Sequence, residues 1–118
     1  MTETIENRII KGLWSLTGLK SSDYIKLVKD AYPNVSGSKL RGLISGVGNR
    51  NFRPATAVDL EHSLCVIAKW AGTDIDNILP DSLTPLLTLV DRELGVMSGG
   101  ALSVVARKEV LRKILKNI

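Results

Sequence analysis

Hydrophobic residues recur along this chain at intervals of three and four, the spacing that lines up side chains on one helix face, while alternating β-branched runs are few. Behind Thr2 and Thr4, the positions Ile5, Ile9, Ile10, Leu13, Trp14 and Leu16 predict a first helix over about residues 4–17, stopped by Gly18. The run SDYIKLVKDAY predicts a second, with Ser22 as N-cap, Tyr24, Ile25, Val28 and Ala31 inward, Lys26 and Lys29 outward, and Pro33 closing it. Ser36 caps a short third helix anchored by Leu40, Leu43 and Ile44, which Gly46 and Gly48 end; VGNRNFRPA then reads as a loop. Thr56 and Asp59 form a capping-box variant that opens a fourth helix through Leu60, Leu64, Ile67, Ala68 and Trp70 to Ala71, with Gly72 as terminator.

The acidic piece TDIDNILPD predicts one helical turn before Pro80. Ser82 caps a fifth helix, with Pro85 in its first turn, running through Leu86, Leu87, Leu89 and Val90 to Leu94; Gly95, Gly99 and Gly100 mark its end. In ALSVVARKEVLRKILKNI an apolar stripe of Leu102, Val105, Val110, Leu111, Ile114 and Leu115 opposes Arg107, Lys108, Arg112, Lys113 and Lys116. The expectation is an all-α single domain of five or six helices: residues 1–79 form the core, and residues 80–118 a C-terminal helical extension that packs on it or on a second subunit.

Composition supports that picture. The chain has 118 residues, enough for one core, and at 44% hydrophobic but only 4% aromatic its burial rests on Leu, Ile and Val. Cys65 is the only cysteine, which excludes an intramolecular disulfide and a thiolate-built zinc site. MTETIENRII carries acids where a signal peptide is basic, and no apolar run approaches the ~18 residues that span a bilayer, so a cytoplasmic protein is expected. The net charge of +4 is unevenly spread: +1 over residues 1–30, +4 over 31–58 without a single acid, −5 over 59–93 and +4 over 94–118. Two basic blocks flank an acidic one, a distribution that suits a polyanionic partner but equally an ordinary solvated surface.

Reactive groups are scarce. His62, the sole histidine, stands one residue from Ser63 and three from Cys65 on one helix, a spacing that suits no relay supported by a third group. Cys65 lies between Leu64 and Val66 and reads as a small core hydrophobe. Asp74 and Asp76 lack the ligand spacing of a calcium loop, and Gly42, Gly46 and Gly48 match no phosphate-binding signature. No catalysis, cofactor or metal is expected.

Residues 22–46 do satisfy the outline of a helix–turn–helix: two short helices, Val35 to plug the angle between them, Ser36 as cap, and an outer face of Gly37, Ser38, Lys39, Arg41, Gly42 and Ser45. Through NVSGSKLRGLISG, NRNFRPAT and LEHSLCVIAKWAGTDIDNIL, preceded by RIIKGLWSLTGLKSSDYIKLV, the chain resembles the lambda-repressor-like DNA-binding domains of phage and bacterial regulators over Ile5 to Leu79. Its joint, DAYPNVS, is about two residues longer than that family's tight turn, and Gly37–Ser45 contains no Asn or Gln for adenine. Val35, Ser36, Leu40, Leu43, Ile44, Phe52, Pro54, Thr56, Leu60 and Leu64 also resemble, without gaps, one repeat of the bacterial YehS-like helical family, with Leu43 in place of a tryptophan. Residues 80–118 do not supply that family's second repeat.

The first resemblance implies a phage- or plasmid-type transcriptional regulator that binds double-stranded DNA as a homodimer, without cofactor or membrane. Ser38, Lys39, Arg41 and Ser45 would face the groove; Ser22, Asn49, Arg50, Asn51 and Arg53 would grip phosphate; Leu111, Ile114 and Leu115 are the candidate dimer surface. Phe52 either anchors the loop to the core or offers a stacking platform, and the shortage of aromatics favours the anchor. The alternative is a non-enzymatic adaptor or inhibitor that meets an acidic protein partner. A third reading is RNA binding without strong sequence preference.

Overall fold

The computed structural model of the chain describes residues 2–75, 83–97 and 100–117. Six helices, and no strand among the described residues, form one globule: α1 (Ile5–Thr17), α2 (Ser21–Ala31), α3 (Gly37–Ile44), α4 (Ala57–Ala71), α5 (Leu83–Met97) and α6 (Val104–Leu115). The all-α expectation therefore holds with six helices. Of the piece TDIDNILPD, residues 73–75 are not helical, and its remainder, the Ser82 cap and the Gly99 break lie outside the described residues.

α1 is the central element, packed against α3, α4, α5 and α6. Its apolar stripe of Ile9, Ile10, Leu13 and Leu16 is fully buried, which by area is worth about 1.5–3 kcal/mol per side chain. Thr4 and Asn7 form a capping box at its start, and Gly18 ends it in the left-handed region at φ 71°. Gly12 lets α5 approach: a Cβ there would lie 2.3 Å from Val90 Cγ1. α4 opens with the foreseen Thr56–Asp59 capping box and closes at Gly72, φ 81°.

Other boundaries shift. α2 begins at Ser21 with Lys20 as an N-cap that makes no side-chain hydrogen bond, so Ser22 sits inside the first turn rather than capping it, and Ala31 is exposed. α5 runs on through Gly95 to Met97, with Gly95 inside the helix and not in the left-handed region. α6 is capped by Ser103, whose hydroxyl accepts from the Ala106 amide, so the helix starts later than its apolar pattern predicts; Leu102 and Val105 are exposed. Leu111, Ile114 and Leu115 are buried in the chain's own core beside Leu86 and Val90, and have no surface to offer a second subunit.

The basic side of α6 is also partly consumed by the fold. Arg107 Nη1 donates to the Ser15 and Leu16 carbonyls at the end of α1, and Arg112 Nε donates to the Ala71 carbonyl at the end of α4. Each guanidinium thus donates to helix-end carbonyls and sits at the negative end of a helix dipole. Lys108 lies 5.0 Å over the Trp70 ring. Among the described residues, no helix is long and apolar enough to cross a membrane.

Candidate nucleic-acid interface

α3 forms where expected because the Ser36 hydroxyl accepts from the Lys39 amide at 3.1 Å and Leu40, Leu43 and Ile44 fall on one buried face. Val35 is half-buried against the core, as the plug between α2 and α3 should be. The exposed stripe of α3 is Ser38, Arg41 and the half-exposed Ser45, three and four residues apart.

Gly42 departs from its expected place on that outer face. It is buried beneath the following loop: a Cβ would lie 2.5 Å from the Asn51 carbonyl oxygen and 2.6 Å from Arg53 Cγ, and the Arg53 amide donates to the Gly42 carbonyl at 3.0 Å. The glycine that weakens α3 as a helix is the one that lets residues 49–53 cross its C-terminal turn. Gly46 and Gly48 do not terminate α3 by left-handed geometry; neither has positive φ, and the C-cap, Ser45, is extended.

Asn7, fully buried, does that work instead. Its Nδ2 donates to the Leu43 carbonyl at 3.0 Å and the Arg53 carbonyl at 3.1 Å, while its Oδ1 accepts from the Ala55 amide at 2.9 Å and the Thr4 amide at 3.1 Å. Thr4 Oγ1 adds a bond to the Ala55 carbonyl at 3.0 Å. One carboxamide therefore fastens the start of α1, the end of α3 and the loop together, with every polar group satisfied. Sequence reasoning missed it; the only signal was an Asn three residues after a capping Thr, which reads locally as a helix start.

The candidate contact residues divide by what already holds them. Lys39 Nζ pairs with Asp59 at 3.1 Å, keeping half its side chain exposed. Burial pushes the Asp59 carboxyl up, but hydrogen bonds from the Thr56 amide, Lys39 and the Thr56 hydroxyl outweigh it and hold its pKa below the ordinary 3.8. Asn49 Oδ1 accepts from the Asn51 amide at 2.8 Å, an Asx turn that shapes the loop. Arg53 Nη1 donates to the Phe52 carbonyl at 3.2 Å. Ser45 Oγ donates to the Arg41 carbonyl at 2.6 Å. Phe52 is 2% exposed and is the core anchor, not a stacking platform.

Arg41 and Arg50 are exposed, and among the described residues their guanidinium groups make no ion pair or hydrogen bond. Arg41 borders a hollow of about 210 Å³ with Trp14, Ser21, Ile44 and Ser45, where the ends of α1 and α3 meet the start of α2. Ser22 is exposed in that same first turn of α2.

The remaining chemistry-bearing residues are spent on packing. His62 stacks on Tyr32 with ring centroids 3.9 Å apart. Tyr24 shares a 2.6 Å hydrogen bond with Ser63 and, buried, has its pKa raised to about 12. Cys65 is half-buried rather than a core residue, and no group of three His, Cys, Asp or Glu side chains is gathered among the described residues. No family model, curated protein or solved structure matches the chain.

Proposed function

We propose that this protein is a double-stranded DNA-binding regulator of the helix–turn–helix kind, with α3 facing the major groove and the loop of residues 46–53 lying along the phosphate backbone. The observation that carries the reading is the pair Arg41 and Arg50: two exposed guanidinium groups, unpaired among the described residues, in a segment without acids, while Lys39, Ser45, Asn49 and Arg53 are held by internal partners. A guanidinium free of internal partners is available to a phosphate or a base edge, and its rigid fork suits both. The resemblance of the sequence to lambda-repressor-like domains supports the same reading.

On this reading the side chains divide by exposure and by internal partners. Arg41, between Ser38 and Ser45 on the exposed stripe, is the base reader; with no Asn or Gln on α3, guanine O6 and N7 are its natural target. Arg50 and Arg53, with Ser22, position the backbone, whereas Lys39 is anchored by Asp59 and contributes field more than recognition. Asn49 and Asn51 serve the loop's shape.

A mobility-shift titration of random-sequence duplex and of RNA at two salt concentrations tests this. Duplex binding should weaken as salt rises. Arg41→Ala should relax discrimination at a guanine by about 1–3 kcal/mol, whereas Arg50→Ala should weaken all duplexes alike and reduce the salt slope by about 0.9. Binding that is insensitive to salt and to both substitutions would sink the DNA reading. The adaptor alternative draws on a different observation: Val96 near the end of α5, and Leu102, Val104 and Val105 around the start of α6, are exposed apolar side chains of the kind a protein partner covers.

A further inference from the structure

We infer that Asn7 and Gly42 together position the phosphate-gripping loop, so that Arg50 contributes to binding only while both the Asn7 clamp and the close approach at Gly42 hold the loop against α3. This rests on the DNA reading of that loop. Arg50 itself is exposed and unpartnered among the described residues, so nothing local fixes where its charge points. What fixes the loop is its closing end. The Arg53 carbonyl and Ala55 amide bond to Asn7, the Ala55 carbonyl to Thr4, and the Arg53 amide to Gly42. The first residues of α1 thereby set the register between a groove-facing helix and a backbone-facing loop that are distant from them in sequence. Because DNA phosphates are regularly spaced, a loop displaced by an ångström or two from α3 loses simultaneous engagement of base and backbone.

Two substitutions release the loop by independent routes. Gly42→Ala inserts a methyl group where the Asn51 carbonyl oxygen lies 2.5 Å away, which pushes the loop off α3 while leaving the Asn7 bonds and improving helix propensity. Asn7→Ser removes the donors to the Leu43 and Arg53 carbonyls. Each is made with and without Arg50→Ala, and affinity for random-sequence duplex is measured by fluorescence anisotropy over a range of salt; circular dichroism and thermal melting verify that each variant is folded. In the wild type, Arg50→Ala should cost several-fold in affinity and about 0.9 in salt slope. In the Gly42→Ala or Asn7→Ser background it should cost nothing further, a coupling that a loss of stability alone does not produce. A full Arg50→Ala effect in either background overturns the joint positioning role and leaves the DNA reading intact. No Arg50→Ala effect in the wild type overturns the phosphate role of the loop, and the positioning role with it. If Asn7→Ser does not fold, Gly42→Ala, whose added methyl meets the Asn51 carbonyl and the Arg53 side chain, decides the question.

Discussion

Replacing Arg107 with methionine separates the structural use of the C-terminal basic block from any role in binding a polyanion. α1 has no basic residue in its last turn, and Arg107 supplies that charge from α6, donating at 3.4 Å to the Ser15 carbonyl and at 3.2 Å to the Leu16 carbonyl. A cation at a helix C-terminus is worth about 0.3–1 kcal/mol, and a hydrogen bond to a charged donor about 1.5–3 kcal/mol. Both bonds here are long and Arg107 keeps partial solvent access, so a net cost of about 1–2 kcal/mol is expected. Methionine retains much of the packing against Gly18, where a Cβ would lie 2.9 Å from Arg107 Cζ. With an unfolding entropy of about 2.1 cal/mol/K per residue, the chain's 118 residues give about 0.25 kcal/mol/K, hence a fall in Tm of about 4–8 °C by calorimetry. Duplex affinity and its salt slope should be unchanged for the folded variant. A Tm within about 2 °C of wild type, or a salt slope reduced by about 0.9, would refute the assignment of Arg107 to helix capping.

Four further substitutions probe the frame of the interface and a helix end. The Asp59 carboxyl has its folded pKa below 3.8, so its contribution to stability is complete above its unfolded pKa and is lost as pH falls through the folded value. Urea unfolding should therefore show wild type losing its advantage over Asp59→Asn only below about pH 4, and Lys39→Met should move that loss to higher pH; an advantage that persists through the acid limb contradicts the Lys39–Asp59–Thr56 arrangement. Gly48→Ala should be neutral or stabilising by up to ~1 kcal/mol, since its φ is not positive and no atom lies within 4 Å of the added methyl, whereas Gly72→Ala, at φ 81°, should cost about 1–2 kcal/mol in the same denaturation assay.

Much of the architecture was legible in the sequence for local reasons. Helix periodicity exposes the stripes Ile9–Leu13–Leu16 and Leu60–Leu64–Ile67, and capping chemistry is written within three residues, as at Ser36 and Thr56–Asp59. The same locality let Arg41 and Arg50 be found as candidates, because an acid-free basic segment is a property of composition. Where a signal depends on which of several similar residues wins, as with Ser22 and Lys20 at the start of α2, the boundary slipped by a residue or two.

What only the tertiary structure decided is how each polar or small residue is spent. Leu111, Ile114 and Leu115 carry the same apolar stripe whether a helix docks on its own domain or on another copy, and proximity to α1, α4 and α5 sends them inward. Gly42 reads as a defect in a recognition helix until the loop is laid across it. Asn7 reads as half of a capping box until Leu43, Arg53 and Ala55 arrive at its carboxamide. Lys39, Arg107 and Arg112 are taken by an aspartate or by helix-end carbonyls far along the chain, while Arg41 and Arg50 are left to solvent. Sequence periodicity sets which face of an element is apolar; long-range approach alone determines which polar groups find internal partners, and so which charges remain exposed at the candidate interface.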